Sequence, residues 1–219
     1  MKNLLLKEFK LCILPINYIF LTFAVILIIP NYPCYVSFFY LLLNTFWIFK
    51  NGDLNKDLQY SLILPIRKSD IVKARVMSVA IYEIVFFILS IPFAILNHKL
   101  VPQVNNAGIN SNFAFYGLVM IVLTISRYCF FTIYYKKAEK HEKAFIISLV
   151  IYFVIYFIFE CPIWMIKSGK LQSLAFIDKV DFASLIKQLP ILVFGIVIYF
   201  LGLIFTYKVS AKEFEKVNL

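Results

Sequence analysis

Charge is scarce in this chain. Only 16% of its 219 residues are Asp, Glu, Lys or Arg, against about 25% in an ordinary soluble domain, while 62% are hydrophobic and mean hydropathy is +0.85. That deficit argues against a soluble domain, whose apolar residues recur in short periodic stretches rather than in runs approaching the thickness of a bilayer. Histidine is nearly absent: His98 and His141 are the only two. His141-Glu142 is followed by Lys143-Ala144, without the second histidine of an H-E-x-x-H zinc helix. The cysteines Cys12, Cys34, Cys129 and Cys161 are scattered, with no C-x-x-C and no neighbouring histidine, so no metal site or redox motif is indicated. They read as small membrane-buried residues, with a Cys34–Cys161 disulfide as the one pairing to check. No G-x-S-x-G elbow and no G-x-x-x-x-G-K-[ST] phosphate loop occur, so no enzymatic activity is expected of the chain and it does not bind ATP by that route.

What is present is a set of six apolar segments, at residues 11 to 29, 34 to 49, 76 to 96, 113 to 135, 144 to 166 and 190 to 207. A spanning helix needs about 17 to 25 residues. No alternating barrel pattern accompanies them, and backbone groups in hydrocarbon must be satisfied within their own segment, so the spacing predicts an all-α, polytopic bundle of about six transmembrane helices in one domain over 1–219. The run from Leu11 to Ile29 exceeds a signal-peptide core and lacks a small-x-small cleavage site, so it is expected to stay in the protein.

Net charge is +10, but the basic residues sit mostly between apolar runs, where topology places them without any nucleic acid. With the N-terminus inside, sixteen of the 22 Lys and Arg fall in cytoplasmic segments, five (Lys99, Lys167, Lys170, Lys179, Lys187) fall outside, and Arg127 lies within the fourth segment. Both termini are therefore expected in the cytoplasm of a multi-pass protein of the bacterial cytoplasmic membrane. Residues 1–14 read as an amphipathic N-terminal segment that Pro15 bends into the first span. Residues 50–75 form the largest cytoplasmic loop, with a helix predicted from Asp53 to Leu62, a break at Pro65, and Ser69 or Asp70 capping the next helix. Outside, 97–112 is polar and turn-rich, and 167–189 holds apolar pieces too short to span, suited to interfacial or re-entrant helices.

Charges within the apolar runs are costly, about 2.5 to 3.5 kcal/mol each on insertion scales. Glu83 and Arg127 lie about 10 to 12 Å from the same membrane boundary at 1.5 Å per residue and are expected to pair. Glu83 lining a polar passage, or Arg127 snorkelling to headgroups, are the other readings. Asn44 is a further polar group within the second segment, and Glu160, near the outer end of the fifth, reads as a solvated carboxylate.

The run Leu64-Pro65-Ile66-Arg67-Lys68-Ser69-Asp70-Ile71-Val72-Lys73-Ala74-Arg75, leading into a helix with Glu83 and Ile91-Pro92-Phe93, resembles small bacterial permease subunits of ABC-2 type transporters. The likeness covers essentially the whole chain, with Leu64, Pro65, Arg67, Lys68 and Asp70 carrying the loop motif. It implies a permease that docks a separate ATPase subunit, which uses ATP and Mg, and that pairs with a second permease chain, identical or related. The stretch Asp53, Leu54, Lys56, Asp57, Leu58, Gln59 and Tyr60 would then match the coupling helix. The resemblance is nearest to exporters of amphipathic peptides, including phenol-soluble modulins. A gradient-driven transporter or channel using Glu83, and a membrane immunity or assembly protein, stand as alternatives. The first of these is expected to show internal repeats or broken midplane helices, which are not evident.

Overall fold

The computed structural model describes residues 2–100, 105–137 and 141–217. Residues 101–104 of the outer connection and Lys140 of the basic turn, both used in the topology argument, lie outside them.

A bend is found where Pro15 was expected to make one, and the first span expected over 11–29 is helical from Pro15 to Ile28. Helix α1 (Lys2–Leu11) is followed by α2 (Pro15–Thr22), which runs on as a 3-10 segment, Phe23–Ile28, and the two halves meet at 84°. Pro15 opens α2, where its missing N–H costs nothing. Asn17 then reaches back, its Oδ1 accepting from Leu14 N at 2.9 Å, while its Nδ2 donates to Asn44 Oδ1 at 2.8 Å. Asn51 Nδ2 closes the same cluster on Asn17 Oδ1 at 3.1 Å and on Cys12 O at 3.2 Å. A buried polar knot thus fixes the corner, and Asn44 is one of its members.

Helix α3 (Cys34–Leu54), α4 (Asp57–Ile63), α5 (Lys68–Leu100), α6 (Phe113–Lys137), α7 (His141–Lys167) and α8 (Phe182–Glu215) complete the bundle, with a 3-10 segment, Gln172–Ile177, between the last two. Among the described residues there is no strand, and the expected all-α membrane bundle is the fold found. Helices α5 to α8 are long and apolar enough to cross a bilayer, and the bent α1–α2 pair supplies a fifth candidate. The expected count of six is not reached on that measure. At 21 residues α3 has the length, but Asn44, Thr45, Lys50, Asn51 and Asp53 dilute its apolarity, and most of it is enclosed by its neighbours.

The interior is aromatic. Phe38 of α3 meets Phe86 of α5 and Phe115 of α6 edge-on, with centroids 5.1 and 5.5 Å apart. Nearer the opposite end, Phe49 packs on Phe131 and Tyr134 at 4.9 and 4.5 Å. Helices α6 and α8 make the most extensive contact and run parallel: Gly117 lies against Gly195, and Thr124 against Gly202 seven residues on. A side chain at Gly195 would collide with the backbone of Gly117, so glycine is what permits this approach. By contrast α8 exposes Val193, Phe194, Val197, Phe200, Leu201 and Ile204 along its outer face, as a lipid-bathed helix does.

Candidate functional site

The segment between α3 and α5 is built differently from the continuous helix expected over Asp53 to Leu62. Helix α3 runs to Leu54, Lys56 turns the chain with φ 51°, and α4 starts only at Asp57. The reason lies in the side chains on either side of the turn. Asp53 accepts from Tyr134 Oη at 2.6 Å and lies 2.6 Å from His141 Nδ1, which holds the end of α3 against α6 and α7. Asp57 is instead drawn to α1 and α5: its Oδ2 accepts from Arg75 Nη2 at 2.7 Å and its Oδ1 lies 2.8 Å from Lys7 Nζ. One helix cannot serve both directions, and the left-handed turn at Lys56 redirects it.

Arg75 is the centre of this end of the bundle. Its Nε donates to Glu8, its Nη2 to Asp57 and Cys12 Sγ, and its guanidinium lies 4.9 Å over the Phe49 ring. Lys7 adds a bond to Ser61 Oγ at 2.7 Å, and Asn55 Nδ2 donates to Leu11 O at 2.7 Å. Gly52 leaves room for the guanidinium, since a Cβ there would lie 3.1 Å from both terminal nitrogens. Ligand atoms of Glu8, Cys12 and Asp57 lie within 4.8 Å of one another. Two cations, Lys7 and Arg75, already balance the two carboxylates, so the trio reads as a salt-bridge network rather than a metal centre.

This anchoring sorts the residues expected to dock a partner. Asp57 is buried, Leu58 is half-buried, and Asp53 is bonded into the bundle. Leu54, Lys56, Gln59 and Tyr60 are exposed, and so are Ile63 and Leu64, which carry the apolar surface further. Clefts of about 570 and 730 Å³ flank the helix, with Tyr60 in the wall of both and Lys2, Lys7, Lys10 and Lys56 around them. The following Pro65 and Arg67 are exposed, and Lys68 and Asp70 are half-buried. Lys68 Nζ donates to Val217 O at 2.6 Å, tying the motif to the chain's other end.

Within the bundle, Arg127 Nη1 donates to Glu83, Tyr199 Oη donates to the same Glu83 Oε2 at 2.7 Å, and the guanidinium lies 4.7 Å over the Tyr199 ring. The pair therefore joins α5, α6 and α8. Arg127 and Glu83 are 2% and 3% exposed, which leaves Arg127 no route to the headgroups and Glu83 no open passage to line.

At the opposite end Glu160 is not solvated. It is fully buried, both oxygens taking the Ile109 N–H at 3.2 Å, so a backbone amide replaces water. Asp178 accepts from Asn110 N at 2.8 Å, and burial holds its carboxyl above the usual range, partly opposed by that bond and by Lys167 at 3.5 Å. The 167–189 stretch is thereby folded onto the 105–112 loop as a 3-10 segment and the first turns of α8, which Asp181 caps through Ser184 N at 3.1 Å. All four cysteines are free.

Glu8, Arg75, Asn17 and Tyr199 were not singled out from sequence. Glu8 left a trace, as the only acidic residue among the first fifty. The family described as ABC-2 family transporter protein matches residues 3–211 of the chain. No curated protein and no solved structure matches it.

Proposed function

The chain belongs to the ABC-2 family of transporter proteins, and on that premise we propose that it is the permease subunit of an exporter driven by a separate ATPase chain, which docks on the exposed face of α4. The observation that carries this reading is the division of α4 into two faces. Asp57 and Ser61 lock it to α1 and α5, while Lys56, Gln59, Tyr60 and Ile63 are turned outward. A short helix presenting an apolar knob within a basic surround suits a groove with an apolar floor and acidic rim on a soluble partner. Because Arg75 clamps it to the base of α5, closure of that partner is transmitted as a displacement of α1 and α5 rather than absorbed by the loop.

ATP and Mg act on the partner, and this chain holds neither. The termini face the cytoplasm, as the distribution of Lys and Arg supports, and α3 serves as a sixth, protein-enclosed crossing of the bacterial cytoplasmic membrane. A second permease chain covers part of the apolar surface left on α2, α7 and α8 and completes the pathway, with an amphipathic or hydrophobic cargo such as a peptide. The gradient-driven alternative is disfavoured by the closed Glu83–Arg127–Tyr199 arrangement, which presents no open ionisable site.

Affinity co-purification of the detergent-solubilised chain with its candidate ATPase tests the reading. The triple variant Lys56→Glu, Tyr60→Ala, Ile63→Ala is expected to lose the ATPase while inserting normally. Retention of the ATPase by that variant would move the docking site elsewhere, and a wild type that retains none would remove the ATP-driven reading.

A further inference from the structure

A groove of about 570 Å³ runs between α5, α6 and α8 at the end of the bundle where α5 terminates. Phe87, Ile91, Ile95, Met120, Leu192 and Ile196 line it. It is open along one side, with Ile91 and Ile95 about half exposed on the bundle surface. Tyr116 contributes the one hydroxyl of its deeper wall, already bonded to Ser90 Oγ at 3.0 Å, so the interior asks for no polar partner.

Its length and its rim point to a particular occupant. From Phe87 to His98 is eleven residues of helix, about 16 Å at 1.5 Å per residue, close to one leaflet's share of a hydrocarbon core about 30 Å thick. At the open end His98 and Lys99 are, among the described residues, the only side chains of the lining with a basic group, and no described carboxylate lines the groove. His98 is held in place by Ser111 O at 3.1 Å. Lys99 is exposed, and no carboxylate among the described residues lies within salt-bridge distance of it.

We propose that this groove is a lipid site that holds one acyl chain of an anionic glycerophospholipid, with the phosphate seated at His98 and Lys99. An anionic lipid fits better than a zwitterionic one, because two basic groups and no carboxylate are among the described residues that line the groove. A slot one leaflet deep with a charged mouth fits a lipid better than a second copy of the chain, whose own apolar helix would bring no counter-charge to Lys99. Such a lipid fills the gap where α5, α6 and α8 diverge and holds their outer halves together without an ATPase or cargo.

Native mass spectrometry of the full-length chain in mild detergent tests this, with phosphatidylglycerol or phosphatidylcholine of matched acyl chains added. Wild type is expected to retain one phosphatidylglycerol per chain in clear preference to phosphatidylcholine. Lys99→Gln is expected to lower phosphatidylglycerol retention about fivefold, the effect of one basic group near an anionic headgroup, and to leave phosphatidylcholine unchanged. Ile95→Trp is expected to reduce both lipids. Lys99 is exposed, so its substitution leaves the fold intact and decides the matter if the tryptophan variant fails to insert. Equal retention of the two lipids, or unaltered phosphatidylglycerol retention in Lys99→Gln, overturns the proposal. So does efficient copy-to-copy cross-linking of Ile95→Cys with no lipid retained, which would place a second chain on the groove.

Discussion

Two buried arginines carry the charge chemistry of this bundle, and they have different tasks. Arg127 binds Glu83 and stacks on Tyr199 within the apolar layer, whereas Arg75 gathers Glu8, Asp57 and Cys12 where α1, α4 and α5 converge. Removing one partner of a buried pair leaves the other charge uncompensated, a loss of about 3 to 5 kcal/mol. Arg127→Met is therefore expected to lower the unfolding temperature in detergent sharply. The exchanged pair Glu83→Arg with Arg127→Glu should recover part of what either reversal loses, and a double variant as unstable as the singles would contradict the pairing. Tyr199→Phe deletes one donor to a buried carboxylate, and about 1.5 to 3 kcal/mol is the expected loss by the same measurement. The Glu83–Arg127 pair was legible because each stood alone in an apolar run at matching depth. Tyr199 was not, since one tyrosine among 14 carries no mark of its partner. Arg75 was read as a basic residue flanking a span and as the last of the Leu64–Arg75 run, not as the centre of a network, because its partners lie 67 and 18 positions away in sequence.

At the scale of elements, the apolar runs gave the long helices α3 and α5 to α8, and Pro15 marked where α1 bends into α2 but not what holds the bend. The bend between α1 and α2 depends on Asn17 finding Asn44 and Asn51 on α3, a tertiary match that Pro15 alone does not announce. The helix predicted from Asp53 to Leu62 starts instead at Asp57, because hydropathy cannot register that Asp53 and Asp57 are pulled to opposite sides. Arg75→Gln should release α1 and α4 together, read as faster amide hydrogen exchange in residues 2–11 and 57–63 with α6 unchanged. The α6–α8 contact rests on close backbone approach rather than on side-chain volume. Gly195→Ala puts a methyl group into the Gly117 backbone, where overpacking costs about 1 to 3 kcal/mol, and a lower unfolding temperature is the expected outcome. An unchanged one would mean that α6 and α8 part easily.

As a whole the described molecule is a bundle of apolar helices held by a charge network at each end and by the Glu83–Arg127 ion pair within. The clamp of Glu160, Lys167 and Asp178 on the 105–112 loop fixes one end, and the Arg75 network fixes the other while leaving one face of α4 free. Site-specific photo-cross-linking, with the reactive residue placed in turn at Tyr60, Ile63 and Leu58 in cells that also make the candidate ATPase, tests the permease reading most directly. Cross-links to the ATPase are expected from the exposed positions 60 and 63, and none from position 58, whose side chain packs into the bundle. Cross-links that favour position 58, or an ATPase that joins the chain while touching neither exposed position, would contradict it.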